Sequence, residues 1–380
     1  MAAAPETSRD TEERTQLVHR ETFQLVALIG MAVVAFLVTR TIAMSNREMT
    51  VRDAAEWFRR GQGAMQSGEV DAAIDALRRA TVRDRDDKRY VLTLAQALVL
   101  KKDHDGARSV LMTLREAEPE DREVNLQLAR LAATRQDVTE ALRFYHNALY
   151  APWPNEMVDA RRAVRLELAR FLLGHHQTGR ALSELLALTA DMPDEIALHL
   201  QVAQLFADAG DETHAVEQFT LALRQDPGNR QAIAGAGLAA FRLGDYAAAR
   251  AYLRRLPDAD DVRAAREVAE LVLSRDPLTA RLGSAERRQR LVADIRDVHQ
   301  RIQACIENGN QRLEATALLN ETATFEQQLT TTGALEQDAL EAGVDLIDRL
   351  EDEIAQRCGA TTPLDQALAL IGRRHRADSR

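Results

Sequence analysis

The sequence predicts an all-α protein in three parts: a single N-terminal transmembrane helix, a stack of about six repeated helix pairs, and a C-terminal helical hairpin or bundle. Three observations carry that expectation. Aromatic residues make up only 4% of the 380 residues, and Ala, Leu, Arg, Glu and Gln fill long stretches broken by 18 glycines and 9 prolines, a usage that favours helix over sheet. Residues 22–39 contain no charge, which meets the length needed to cross a bilayer. Small and apolar residues then return with a fixed period between residues 54 and 257. The formal charge of −10, from 49 Lys plus Arg against 59 Asp plus Glu, leaves no electrostatic footprint for a phosphate backbone, so no nucleic acid partner is expected. With 46% hydrophobic and 28% charged residues, the chain reads as folded rather than disordered.

Residues 1–21 are a polar lead, and residues 22–44 form the expected span. Arg20 and Glu21 precede the uncharged run and Arg40 follows it. Arg40 can snorkel to the headgroups, so residues 41–44 lengthen the apolar stretch to that of a slightly tilted helix. The alternative is a cleaved signal peptide, for which Thr41-Ile42-Ala43 is a poor processing site and the polar lead is too long. An uncleaved anchor in the lipid bilayer is therefore expected. Its orientation is not decided by flanking charge, because Arg9, Arg14 and Arg20 balance Arg40, Arg47 and Arg52.

The repeat runs from residue 54 and ends in a capping helix at residue 275. Its string is a Gly or polar residue, an acid, an Ala, an apolar residue four later, a further Ala or Leu, and a closing acid-Pro. Gly68-Glu69, Ala73, Leu77, Ala80 and Asp84 return as Asp103, Ala107, Leu111, Leu114 and Glu118-Pro119, so Ala73 and Ala107 are 34 residues apart. Further copies carry Asp137, Ala141, Tyr145 and Ala148; Ala181, Leu185 and Pro193; Gly210-Asp211, Ala215, Phe219, Ala222 and Pro227; and Gly244-Asp245, Ala249 and Leu253. Between Ala141 and Ala181 the spacing is 40, and the excess falls at residues 150–156, where Pro152 and Pro154 mark a loop insertion. Small residues at Gly61, Ala95, Ala129, Ala169, Ala203 and Gly237 let the first helix of each pair approach its neighbours closely. Each pair then buries its open face on the next.

This period and these positions resemble the tetratricopeptide repeat over about residues 54–257. The resemblance implies an α-solenoid of antiparallel helix pairs whose first helices line a concave groove for a protein or peptide. The repeat position that usually faces such a groove reads Gln62, Gln96, Arg130, Arg170, Gln204 and Leu238 here. Gln can bond an extended backbone and Arg can hold a carboxylate through two hydrogen bonds. Leu126, Leu166, Leu173 and Leu200 are expected to supply apolar pockets beside them. The alternative for this ladder is a solvated helix face.

Residues 280–380 match no family pattern and read as long helices packed antiparallel: 285–308, 311–329 and 334–357, then a short one at 363–375. Turns are expected at Asn308-Gly309-Asn310 and at Thr330-Thr331-Thr332-Gly333. Cys305 and Cys358 are the only cysteines and end two of these helices. They would form a disulfide in an oxidising compartment or stay as buried thiols. His175, His176, His199 and His214 fall at unlike repeat positions and read as surface or groove residues. No catalytic, phosphate-loop or metal-binding pattern is present, so no enzyme activity, metal or cofactor is expected. The expected function is a scaffold in the inner (plasma) membrane of a bacterium. The Arg-rich, Lys-poor composition and the cysteine pair favour a body in the periplasm, with a cytoplasmic adaptor as the alternative. A homo-oligomer through the long tail helices is the further partner that sequence alone leaves open.

Overall fold

A computed structural model of the chain describes residues 7–257, 259–280, 282–307, 313–331, 337–358 and 362–378. The described residues are helical, with seventeen α-helices and a single 3₁₀ turn. The expected turn at Asn308-Gly309-Asn310 and the end of the break at Thr332-Gly333 lie outside them. So do the side chains of Arg9, Arg14 and Arg20, and those of Cys305 and Cys358.

The first helix, α1 (Thr7–Gln66), is 60 residues long and runs unbroken from the polar lead through the apolar span into the first repeat. Nothing between Met31 and Arg60 is a Gly or Pro, so no residue interrupts the ladder. Among the described residues it holds the one segment long and apolar enough to cross a membrane. Its Leu28, Ile29, Met31, Phe36 and Ile42 are exposed, with nothing of the protein packed over them.

The repeat pairs follow. The end of α1 packs on α2 (Val70–Arg83), α3 (Lys88–Leu100) on α4 (His104–Ala117) and α5 (Arg122–Thr134) on α6 (Val138–Tyr150). Next come α7 (Val158–Gly174) and α8 (Thr178–Thr189), tied by Arg165 and Glu184 at 3.3 Å. Then α9 (Ile196–Asp208) packs on α10 (Glu212–Gln225), and α11 (Arg230–Leu243) on α12 (Tyr246–Leu253). The predicted signature is the second-helix core: Ala73, Ala107, Ala141, Ala181, Ala215 and Ala249 are all fully buried. First helices approach at the small residues. A Cβ on Gly237 would stand 2.2 Å from Leu253 Cδ2, and one on Gly235 would stand 2.2 Å from the Phe219 ring.

Each tight turn within a pair uses a left-handed residue, and in four of the six a capping acid follows it. Gly68, Lys102, Gln136, His176, Gly210 and Gly244 all have φ between 57° and 82°. After four of them, Asp103, Asp137, Asp211 and Asp245 accept the amides of Gly106, Glu140, His214 and Ala248 at 2.9 to 3.1 Å. That satisfies one of the donors a helix start leaves unpaired. The insertion before α7 folds onto the third repeat: Trp153 donates its indole N–H to the Ala148 carbonyl at 2.9 Å, and the Arg122 guanidinium stacks on the Trp153 ring.

The described chain falls into two compact units, Met1–Val164 and Arg165–Arg380, with the boundary inside α7. In the second unit, α13 (Asp260–Arg275) follows the last repeat, then α14 (Ser284–Glu307), α15 (Leu313–Thr331), α16 (Gln337–Cys358) and α17 (Pro363–Asp378). α14 packs on both α15 and α16, and α17 folds back onto α16 and α13. Residues 280–380 therefore have no separate core. Ala240, Tyr246 and Ala249 of the last repeat join Val268 and Val272 of α13, Leu291 of α14, Val344 of α16 and Ile371 of α17 in one apolar cluster. α17 returns to cover the face of α13 that would otherwise end the stack.

Candidate functional site

First helices of the pairs carry the predicted ladder. Gln62, Gln96 and Arg130 are exposed in the first unit, and Arg170 and Gln204 are exposed in the second. A small buried residue precedes each of them (Gly61, Ala95, Ala129, Ala169, Ala203), so the turn of the helix that touches its neighbour also points the next residue outward.

In the second unit four predicted residues meet. Arg170, Leu173, Leu200 and Gln204 line one cleft of about 480 Å³, together with Gln201 and Asp208. A second cleft of about 410 Å³ shares Gln204 and Gln231 with the first and extends past Ala234 to Leu238 and Leu256. Arg170 Nη2 donates to Gln201 Oε1 at 3.0 Å and Gln204 Nε2 donates to Asp208 Oδ1 at 2.8 Å. These bonds hold two long polar side chains in place and leave further donors on each. The half-buried Leu173 and Leu200 give the floor an apolar patch.

Leu126 and Leu166 are corrections. They are 5% and 6% exposed, so they pack between helices and cannot line an open groove. Each lies four residues before its ladder arginine, as Leu200 lies four before Gln204, but only Leu200 is left half-exposed on the cleft. Gln201, Asp208 and Gln231 were missed by sequence reasoning. Gln201 and Asp208 lie three before and four after Gln204, on the same helix face, so reading the face rather than one repeat position would have found them.

His199 is also a correction, being 5% exposed rather than a surface or groove residue. Its Nδ1 meets Gln218 Oε1 at 2.8 Å and its Nε2 meets Asp194 Oδ1 at 2.9 Å. Gln225 Nε2 donates to the same Asp194 oxygen at 2.6 Å, so this polar bridge ties α9 to α10. His214 Nδ1 meets Asp211 Oδ2 at 2.7 Å, with its ring stacked on Phe206. Among the described residues no three or more His, Cys, Asp or Glu side chains group as metal ligands.

Comparison with known proteins places the repeats. Residues 46–154 match the cytochrome c-type biogenesis protein H TPR domain, and residues 203–264 match a tetratricopeptide repeat model. No curated protein sequence matches the chain. Among solved structures, YrrB, described as a TPR protein with an unusual peptide-binding site, aligns at 19% identity and TM-score 0.41, covering 52% of this chain and 99% of its own. PilW, described as a type IV pilus biogenesis factor, aligns at 16% identity and TM-score 0.39, covering 55% and 96%. A tetratricopeptide repeat protein from Parabacteroides merdae aligns at 13% identity and TM-score 0.40, covering 72% and 99%.

Proposed function

Because the chain is a tetratricopeptide repeat protein, we propose that it is a membrane-anchored scaffold that holds a polypeptide partner during the biogenesis of c-type cytochromes. The observation that carries the reading is the cleft in which Arg170, Leu173, Leu200 and Gln204 converge. Its amide groups can pair with an extended backbone, its guanidinium with a carboxylate, and its leucines with an apolar side chain. That chemistry suits a chain not yet folded, which presents all three. The biogenesis-type domain begins at residue 46, directly after the apolar stretch of α1, and supports a repeat body held close to the membrane. In this reading α1 is the single span of an inner membrane and the repeats face the periplasm. The scaffold performs no reaction of its own.

Full-length protein in detergent should bind a c-type cytochrome polypeptide lacking its haem. The double substitution Arg130→Glu and Arg170→Glu should weaken that binding at least about tenfold, a change of roughly 1.4 kcal/mol, with the circular dichroism spectrum unaltered. Absence of binding by the wild-type chain, or equal binding by the double variant, would remove the groove from the account.

A further inference from the structure

The C-terminal end of α2 is held at a fixed level beside the apolar stretch of α1. α1 passes from that stretch into the first repeat as one helix, with no Gly or Pro between Met31 and Arg60 to act as a hinge. α2 runs back along it, so its last turn points toward the span. Arg47 Nη2 meets Asp86 Oδ2 at 3.0 Å and Arg83 Nε meets Asp53 Oδ2 at 3.7 Å. Exposed pairs of this kind add little stability, but they set the register of residues 82–86 against residues 47–53. Packing keeps it there. Ala54, Ala80 and Tyr90 form a buried cluster against Trp57 and Phe58, and the Arg79 and Arg83 guanidiniums lie 4.5 and 5.8 Å from the Trp57 ring centre.

Measured from Met44, residues 47–53 begin about 5 Å and end about 13 Å along the helix axis. The headgroup layer on each side of a bilayer is about 5–7 Å deep, and long side chains reach back into it. A helical stretch over residues 22–44 is about 34 Å long against about 30 Å of hydrocarbon. Tilt takes up such a surplus, and a tilt toward α2 lowers this end further.

Exposed apolar surface also continues past Met44. Met49 is 58% exposed, Val51 40% and Val82 68%. Beyond the span, the other exposed large apolar residues described in the first unit are Leu100 and Tyr150. Charge at the α1–α2 end is balanced, with Arg47, Arg52, Arg83 and Arg85 against Glu48, Asp53, Asp84 and Asp86. The next loop is acidic, with Glu116, Glu118, Glu120 and Asp121 against Arg115 and Arg122, which confines a lipid contact to α1 and α2.

We propose that the end of α2 docks on the lipid headgroups beside the span, so that the first repeat is seated on the bilayer rather than tethered above it. This docking requires α1 to be the membrane span of the proposed function. Its occupant follows from continuity: the rigid helix that crosses the hydrocarbon carries Met49, Val51 and the attached α2 end to the headgroup layer. Balanced charge with exposed Met and Val side chains suits a zwitterionic interface and gives anionic lipid no advantage.

The test is fluorescence quenching of full-length protein in phosphatidylcholine nanodiscs, with a fluorescent amino acid placed singly at Phe36, Val82, Arg85 or Leu100. One set of discs carries a nitroxide on the lipid headgroup and another carries it on the acyl chain. Leu100 is the far-end control, since the adjacent Lys101 meets Asp71, at the start of α2, at 2.5 Å. Headgroup nitroxide should remove most of the emission at Val82 and at Arg85 and leave that at Leu100 intact. Adding anionic phosphatidylglycerol should change neither result. Emission at Val82 and Arg85 as strong as at Leu100, or quenching that appears only with anionic lipid, would overturn the docking. In that case quenching of Phe36 by the acyl-chain nitroxide would leave the span in place, whereas an unquenched Phe36 would remove span and docking together.

Discussion

Ala141→Arg is expected to abolish cooperative folding of the first unit. Ala141 is 0% exposed, and so are its counterparts Ala73, Ala107, Ala181, Ala215 and Ala249 in the other repeats. The position admits only a methyl because α6 lies directly on α5, where Leu128 and Ala129 are also buried. An arginine there overpacks the contact at a cost of about 1–3 kcal/mol. It also buries a charge with no carboxylate placed to receive it, for about 3–5 kcal/mol more. Against a total stability of about 5–15 kcal/mol for a domain, most of the margin is gone, and stacked repeats transmit the loss to their neighbours. Thermal circular dichroism with limited proteolysis should find residues 70–150 protease-sensitive and without a melting transition. Ala141→Gly, which costs only about 1 kcal/mol in helix propensity, should remain folded. A melting temperature for Ala141→Arg within a few degrees of wild type would contradict the packing described.

Arg301→Gln is expected to loosen the α14, α16 and α17 packing, and more so at pH 8 than at pH 5. Arg301 Nη1 lies 2.7 Å from Glu351 and 2.6 Å from Asp365, and those carboxylates belong to residues only 4% and 2% exposed. Removing the guanidinium leaves two buried acids facing each other, a loss of about 3–5 kcal/mol when they are charged. Protonation relieves it. Burial, opposed by Arg301, already pushes Glu351 up to about 7, and burial opposed by Arg275 does the same to Asp294. A carboxyl whose folded-state value is raised binds its proton more tightly in the folded chain. Its favourable contribution is complete below the ordinary carboxylate value of about 4 and is lost as pH rises toward about 7. Wild-type protein should therefore show a lower melting temperature for the second unit at pH 7.5 than at pH 5. Arg301→Gln should steepen that dependence and Asp294→Asn should flatten it. A melting temperature that rises between pH 5 and pH 7.5 would show that these acids are ionised in the folded chain.

The repeats were legible because their chemistry is local and recurs. A buried Ala opposite an apolar residue four positions on, with an acid at the helix start, is the same contact each time. The left-handed turn residue was legible only where it is Gly, at Gly68, Gly210 and Gly244. At Lys102, Gln136 and His176 the same backbone conformation is imposed by the flanking helices and has no mark in the residue type. The continuity of α1 did have a signal, the lack of any Gly or Pro between residues 31 and 60, which weighs against reading the span and the first repeat as separate elements. The buried acids of the tail left no such trace. Asp294, Asp348, Glu351 and Asp365 look like solvent-facing residues in sequence, and only the return of Arg275, Arg301 and Arg376 from other helices makes their burial tolerable. For the groove, a single repeat position captured Arg170 and Gln204, but the neighbouring leucines could not be divided into lining and core without the helix-to-helix contacts that buried Leu126 and Leu166.

The most direct test of the scaffold account is photo-crosslinking in intact cells, with a photoreactive residue at Gln204 in the groove and, separately, at the exposed Glu217 on the second helix of the same repeat. The account expects a covalent adduct from Gln204 whose mass identifies a haem-free c-type cytochrome polypeptide, and no such adduct from Glu217. Adducts of equal yield from both positions, or none from Gln204 in cells that are making c-type cytochromes, would contradict it.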